Sequence, residues 1–153
     1  IVGPNKLTGE WGQNPIPGPM DEYEKSVKRH CGRIGAVEVF LSGPGLENYY
    51  EHITKLKISS REIVSLYEKN DPVAGEVMDV YFERIARSFS TFVNILDPDI
   101  IVCGGGMSEI DGIYDEVPKR IIPYIASNFF LTPIVSATHG SSSGVRGAAH
   151  LWN

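Results

Sequence analysis

The stretch from Asn94 to Ser108, NILDPDIIVCGGGMS, decides the fold class of this chain. Asp97 and Pro98 end a long helical pattern, and an uninterrupted apolar run, Ile100 to Cys103, follows. A short apolar run bounded in this way predicts a strand buried on both faces, as in a parallel sheet. Gly104 to Gly106 come next, at the strand end where parallel sheets bind ligands. On the triplet alone, nucleotide binding and a plain tight turn both remain open.

Helical patterns lie on both sides of this strand. Ser59 with Glu62 forms a capping-box pattern, and Asp71 before Pro72 is a typical helix start. The predicted elements are helices over about 45–57, 60–69, 72–96 and 114–125, the last with Pro118 near its first turn, a second strand over 132–138 and a small-residue helix in SSSGVRGAAHLW. An apolar stripe along 72–96 predicts that this helix forms the core. The alternation of helices and strands predicts an α/β domain.

The composition is that of a globular protein with no general affinity for polyanions. The chain has 153 residues, 42% of them hydrophobic, and a net charge of -5 with scattered basic residues. We therefore expect no binding to nucleic acid or to anionic membrane surfaces. No apolar run approaches the roughly 20 residues that cross a bilayer. Two distant cysteines do not form a disulfide framework, which favours a reducing cytoplasm. Because the chain starts with Ile1 and shows no leader pattern, we expect a piece of a longer protein.

The first 44 residues carry the candidate binding residues. About thirty of them are loop-like, rich in Gly and Pro, and include Glu10 and Asn14, which suit a binding loop. Lys28 to Gly43, KRHCGRIGAVEVFLSG, has the glycine spacing of a metal knuckle but one cysteine, Cys31, where a closed zinc site needs four ligands. Glu10 and Glu38 stand beside glycines, where a carboxylate can accept hydrogen bonds from a polyhydroxylated ligand. The alternative is that both are ordinary solvated acids.

Four motifs occur together in the order and spacing of the ROK family of sugar kinases and repressors: GEWGQNP, CGRIGAVEVFLSG, NILDPDIIVCGGGMS and SSGVRGAAHLW. From about Gly9 to Trp152 the chain resembles the bacterial fructokinase branch most closely. The resemblance implies an α/β, actin-like ATPase (RNase H-like) domain, the C-terminal lobe of a two-lobe sugar kinase. Residues 1–44 would be the sugar-site loop and degenerate zinc-knuckle region, and residues 45–153 the helices and nucleotide-side core. The N-terminal lobe is absent from the sequence.

The resemblance also implies an activity. Such kinases transfer the γ-phosphate of ATP, with Mg²⁺, to a hexose, here fructose, and work as homodimers. Their phosphate loop and catalytic aspartate belong to the N-terminal lobe, so we expect this chain to supply binding residues but no catalytic base, and to be inactive alone. A sugar-sensing transcriptional regulator and an inactive family member are the alternatives. The ending SSGVRGAAHLW favours the kinase.

Individual residues follow from the matched motifs. The sugar-binding positions are Glu10, Gln13, Asn14 and Glu38, and the nucleotide-binding positions are Gly104, Gly105, Gly106 and Gly144.

The four zinc-ligand positions of the family fall on Gln13, Arg29, Cys31 and Ala36, so Cys31 is the only zinc ligand that remains. We therefore predict that zinc is absent, that packing holds the loop, and that Glu38 is less rigidly placed.

Overall fold

The computed structural model describes residues 3–7 and 9–152. Its helices are α1 (Glu22–Ser26), α2 (Val37–Leu41), α3 (Gly43–Thr54), α4 (Ser60–Glu68), α5 (Pro72–Leu96), α6 (Gly112–Arg120) and α7 (Ser143–Ala149). Its strands are β1 (Ile101–Cys103) and β2 (Ile134–Ser136). Short 3-10 turns span Trp11–Gln13, Gly106–Glu109, Ile122–Tyr124, Gly140–Ser142 and His150–Trp152.

Helix α5 is the spine of the fold and has the predicted bounds. Asp71 caps it by accepting a hydrogen bond from the Ala74 N–H at 2.8 Å, and Pro72 opens the first turn. Asp97 ends it in the left-handed conformation with φ 44°. The predicted stripe is mostly buried, and with apolar residues of α3, α4, α6 and the strands it forms one core. The prediction that α5 forms the core is therefore confirmed.

The two strands form a parallel sheet, in which Ile101 pairs with Ile134 and Cys103 with Ser136. The prediction that β1 is buried on both faces is wrong. Ile101 is 8% exposed, whereas Val102 is 57% exposed. Ile101 belongs to the core cluster that includes residues of α5 and α6, whereas Val102 lies largely exposed on the other face.

Helix α6 begins and ends earlier than predicted, so Pro118 lies in its last part instead of near its first turn. The start is at Gly112, a poor helix former that the sequence pattern passes over. A side chain at Gly112 would place its Cβ 2.6 Å from the Phe82 ring, so glycine is required for the close approach of α6 to α5. The short helices α1 and α2 were not predicted, because five residues carry too little periodicity.

Among the residues that the structure describes, no helix has the length and apolar character needed to cross a bilayer.

Candidate functional site

The segment that contains Cys31 is a hairpin closed by backbone hydrogen bonds. The Arg29 N–H donates to the Arg33 carbonyl at 2.8 Å, and the Gly35 N–H donates to the Val27 carbonyl at 3.2 Å. The chain reverses at Gly32, which has φ 84°, and Gly35 has φ 72°. Both values favour glycine, because an L side chain rarely adopts this region. The hairpin backbone is therefore held by its own hydrogen bonds and by two glycines with positive φ.

This hairpin leads into α2, which lies beside the first binding loop. The Ile16 N–H donates to the Gly35 carbonyl at 2.7 Å, and the Val37 N–H donates to the Asn14 carbonyl at 2.9 Å. These bonds bring the Trp11–Gln13 turn against the first turn of α2. Residues that stand some 25 positions apart in the sequence thus become neighbours.

Glu38 projects from the first turn of α2 and is held at both carboxylate oxygens. Gln13 Nε2 donates to Oε2 at 3.0 Å, and Arg29 Nε forms an ion pair with Oε1. The same guanidinium donates through Nη1 to Cys31 Sγ at 3.6 Å. Apolar packing is not the only support of this loop, since backbone hydrogen bonds and the Arg29 ion pair hold it as well. That Glu38 is less rigidly placed stays a prediction.

The four family zinc positions do not offer a zinc site. Arg29 brings a cation, Ala36 has no donor atom, and Gln13 already donates to Glu38, so Cys31 is the single thiolate ligand available. Nowhere in residues 3–7 and 9–152 are three His, Cys, Asp or Glu side chains grouped as metal ligands. A backbone hydrogen bond from Arg33 and the neighbouring Arg29 guanidinium lower the pKa of the Cys31 thiol. The donor set thus does not fit zinc, and the absence of zinc stays a prediction.

A wide cavity of about 1150 Å³ lies over these residues, and we name it the sugar-side cavity after the predicted sugar-binding residues in its lining. Three of the four predicted sugar-binding residues line it, namely Glu10, Gln13 and Asn14. Glu38 is not a lining residue and lies behind Gln13 and Arg29. The lining residues that sequence reasoning did not assign to the sugar are Leu7, Gly9, Trp11, Arg29, Cys31, Arg33, Phe92 and Leu96.

A buried charge cluster fastens the chain below this cavity to α5. Glu24, 1% exposed, accepts from Arg84 Nε at 2.9 Å and from Arg87 Nη1 at 3.1 Å. Arg87 also donates to the carbonyls of Pro17 at 2.8 Å and Pro19 at 3.3 Å. One signal for this cluster was present in the sequence, since Arg84 interrupts the apolar stripe of α5 and a buried arginine needs an acidic partner.

The glycine triplet forms a compact turn at the end of β1. Gly105 has φ 91°, and its carbonyl accepts from the Ser108 N–H at 3.1 Å and from the Ser108 hydroxyl at 2.7 Å. The segment after β2 lies alongside, since the Ala137 N–H donates to the Cys103 carbonyl at 2.8 Å. Both strand ends thus open on the same side, as expected of a parallel sheet.

A second cavity of about 590 Å³, the strand-end cavity, lies beside this turn. Gly106 and Ser141 line it from the strand-end loops, and Ser60, Arg61 and Ser65 line it from α4. The α4 residues were missed because nothing in their local sequence indicates a ligand. Gly104, Gly105 and Gly144 are not among its lining residues.

A third cavity of about 360 Å³, the central cavity, adjoins the other two. Trp11 and Phe92 line both the central and the sugar-side cavity, and Met107 lines both the central and the strand-end cavity. Gly104 also lines the central cavity. The three cavities therefore adjoin one another, from the polar loop residues to the ends of the two strands.

A sequence profile described as ROK family matches residues 1–153. The chain belongs to the ROK family. Over 153 residues it is 36% identical to an N-acetyl-D-glucosamine kinase of Vibrio atlanticus, with 97% of this chain and 51% of that protein covered. The chain thus spans about half the length of the curated ROK relatives it matches.

Two solved ROK structures show the same fold. A ROK hexokinase from Thermus thermophilus matches with a TM-score of 0.79 at 22% identity, over 97% of this chain and 48% of the hexokinase. A ROK family glucokinase from Streptomyces griseus, in complex with glucose and AMPPNP, also matches with a TM-score of 0.79, at 19% identity, over 95% of this chain and 51% of the glucokinase. The predicted family and the predicted actin-like ATPase fold are confirmed. The resemblance to the fructokinase branch in particular is not.

Proposed function

We propose that the full-length protein is a kinase that transfers the γ-phosphoryl group of ATP to a hydroxyl of a hexose. The observation that carries this proposal is the row of three adjoining cavities, which places a cavity lined by Glu10, Gln13 and Asn14 near a cavity beside the glycine turn. The named activities of the relatives support it, since the chain resembles kinases of N-acetyl-D-glucosamine and a glucokinase that binds AMPPNP.

In this proposal the sugar lies in the sugar-side cavity. Glu10, Gln13 and Asn14, which line the cavity, receive its hydroxyl groups, and so does Glu38, which lies behind Gln13 with its side chain 38% exposed. The carboxylates act as acceptors and the amides as both donors and acceptors. Fixing several hydroxyls at once orients the reacting one, which is how positioning lowers a barrier. The catalytic base is expected to lie outside this sequence, so these residues bind and orient without removing the proton.

The nucleotide lies at the strand ends. Gly104 to Gly106 let its phosphates approach the backbone, and Gly144 stands in α7 beyond the second strand. The described residues group no carboxylates into a metal site, so Mg²⁺ is expected to arrive with the phosphates of ATP and to supply charge neutralisation there. In the transfer, the sugar oxygen forms a bond to the γ-phosphorus, the bond to the β-phosphate oxygen breaks, and ADP leaves.

Two sugars stand first as substrates. The sequence motifs favour fructose, and the relative at 36% identity favours N-acetyl-D-glucosamine. A location in the cytoplasm and a homodimer also belong to this proposal. The following experiment distinguishes this kinase from the two alternatives, a sugar-sensing regulator and an inactive family member.

The test is ADP release by the full-length protein with ATP, Mg²⁺ and a panel of N-acetyl-D-glucosamine, fructose, mannose and glucose. Turnover with one sugar is the expected result. Binding of a sugar without any turnover would contradict the kinase and favour a sensor or an inactive member.

A variant links the activity to the site. Glu38→Ala should raise the KM for the sugar by about tenfold or more and leave the KM for ATP unchanged, because an acceptor for sugar hydroxyls is lost. Glu22→Ala is the matched control, since Glu22 is an exposed acid on α1. Equal sugar KM values for the two variants would remove Glu38 from the sugar site.

A further inference from the structure

We infer that Arg29 is a positioning residue, whose guanidinium fixes the Glu38 carboxylate for sugar binding. This inference rests on the proposed function. It adds a residue that the sugar-binding assignment did not include, and it gives a reason why the hairpin keeps its arrangement with a donor set that does not fit zinc.

The first argument is that both oxygens of Glu38 are engaged from different sides. Arg29 Nε is paired with Oε1, and Gln13 Nε2 donates to Oε2 at 3.0 Å. A carboxylate gripped at both oxygens cannot rotate freely about its last torsion angle. It still offers about two of its four acceptor positions to a ligand. Its side chain is 38% exposed, so part of it remains accessible.

The second argument is that Arg29 is itself fixed. Its backbone N–H donates to the Arg33 carbonyl at 2.8 Å, and its own carbonyl accepts from the Gly32 N–H at 2.8 Å. Its side chain is 19% exposed, and Nη1 donates to Cys31 Sγ at 3.6 Å. The planar guanidinium thus bridges Cys31 of the hairpin and Glu38 of α2. Its several N–H donors point in fixed directions and permit this, whereas the compact charge of a lysine would not.

The third argument is the identity of the elements joined. Glu38 belongs to α2, Arg29 to the hairpin, and Gln13 to the Trp11–Gln13 turn. All three come together at the edge of the sugar-side cavity, which Gln13 and Arg29 line. The Arg29–Glu38 ion pair, with Gln13 on the second carboxylate oxygen, therefore joins three short segments, which is the task that a metal ion performs in a knuckle.

The test compares five forms of the full-length protein: Arg29→Ala, Arg29→Lys, Glu38→Gln, the double variant Arg29→Ala/Glu38→Gln, and the control Lys28→Ala. Lys28 is exposed on the same hairpin and loses the same charge. Each form is measured for sugar affinity by calorimetry without nucleotide, for the KM of sugar and of ATP, and for zinc content after purification. N-acetyl-D-glucosamine and fructose are the probes.

Arg29→Ala should weaken sugar affinity and raise the sugar KM by about tenfold, with an unchanged ATP KM, because a charged hydrogen-bonding partner is lost. The sugar KM of Arg29→Lys should lie between those of Arg29→Ala and the unaltered protein, since lysine keeps the positive charge but lacks the forked donors of the guanidinium. The double variant should be no worse than Glu38→Gln, because Arg29 acts through Glu38. Lys28→Ala should behave as the unaltered protein.

Three results would overturn the inference. The first is a sugar affinity of Arg29→Ala equal to that of Lys28→Ala. The second is a double variant whose loss of affinity is the sum of the two single losses, which would show that Arg29 acts independently of Glu38. The third is one zinc per chain in the purified protein. If the alanine variant does not fold, Arg29→Lys decides, and a sugar KM equal to that of the unaltered protein overturns the inference. Failure of the unaltered protein to bind any hexose overturns the proposed function, and with it this role of Arg29.

Discussion

Residues 9–42 and residues 43–136 are held in place by different kinds of interaction. The second region contains the long helix, the paired strands and nearly all of the buried apolar side chains. The first region has two five-residue helices, and its own buried apolar cluster consists of Ile16, Val37 and Phe40. Short segments bury too little apolar surface to fix themselves. The loops that carry the candidate sugar site therefore depend on charges and hydrogen bonds in addition to this small cluster.

The polar fastening has two levels. Below the loops, Glu24 joins Arg84 and Arg87 of α5, and the Arg84 guanidinium also lies over the Tyr49 ring at 4.2 Å. At the cavity, Arg29 and Gln13 join Glu38. The lower level anchors the segment to the core, and the upper level holds Glu38 beside the sugar-side cavity. The comparison predicts that residues 9–42 can lose their arrangement while residues 43–136 stay folded, but not the reverse.

The largest effect is expected from Phe82→Ala in the apolar region. Phe82 is 0% exposed and packs edge-on against Tyr67, with ring centroids 5.8 Å apart. Its loss leaves a cavity and should lower the free energy of unfolding by about 3–5 kcal/mol, measured by urea denaturation of the full-length protein.

Hydrogen exchange should rise in both regions of the Phe82→Ala protein, because residues 9–42 are fastened to α5, which Phe82 helps to hold in place. Glu76→Ala, exposed on the same helix, is the control and should change neither quantity. Protection that is lost in residues 9–42 alone would contradict the view of α5 as the common support.

A smaller and more local effect is expected from Glu24→Ala. The substitution leaves the buried Arg84 and Arg87 without their shared carboxylate, a change that costs about 3–5 kcal/mol. We expect the lower end of this range, because Arg87 keeps two carbonyl acceptors and Asp21 lies 3.5 Å from Arg84. Hydrogen exchange should rise over residues 14–42 and much less over α5.

Two further variants sharpen this result. Glu24→Gln keeps the shape and should cost less than the alanine variant. Glu22→Ala, two residues away and exposed, should leave the free energy of unfolding nearly unchanged. An equal rise in exchange over both regions after Glu24→Ala would mean that the two regions unfold as one unit.

The difference between the regions also explains what the sequence could predict. The bounds of α5 followed from Asp71, Pro72 and Asp97, together with many turns of apolar periodicity. The capping box of α4 was equally local, since Ser59 and Glu62 stand three residues apart. The residues of the first region pair over long separations: Glu24 with Arg84 across 60 positions, and Gln13 with Glu38 across 25. No local pattern specifies such partners.

The candidate site shows the same limit. Motif resemblance selected Glu10, Gln13, Asn14 and Glu38, and the first three line one cavity. It could not show that Arg29, read as a lost zinc ligand, forms an ion pair with Glu38. The strand-end cavity likewise draws Ser60 and Arg61 from α4, a helix with no sequence feature that indicates a ligand.

The smallest effect is expected from removing a polar contact in the apolar region. Ser59 accepts a hydrogen bond from the Glu62 N–H at 3.3 Å at the start of α4. Ser59→Ala should lower the free energy of unfolding by about 1 kcal/mol, the usual cost of a lost helix cap. Hydrogen exchange should rise in the first turn of α4 and leave residues 9–42 unchanged. Ser59→Asn restores a capping side chain and should recover most of the stability. A loss of stability as large as that of Glu24→Ala would contradict the comparison, because it would mean that polar contacts stabilise both regions equally. A small and local loss would mean that only residues 9–42, which carry the sugar-binding candidates, depend on polar contacts for their arrangement.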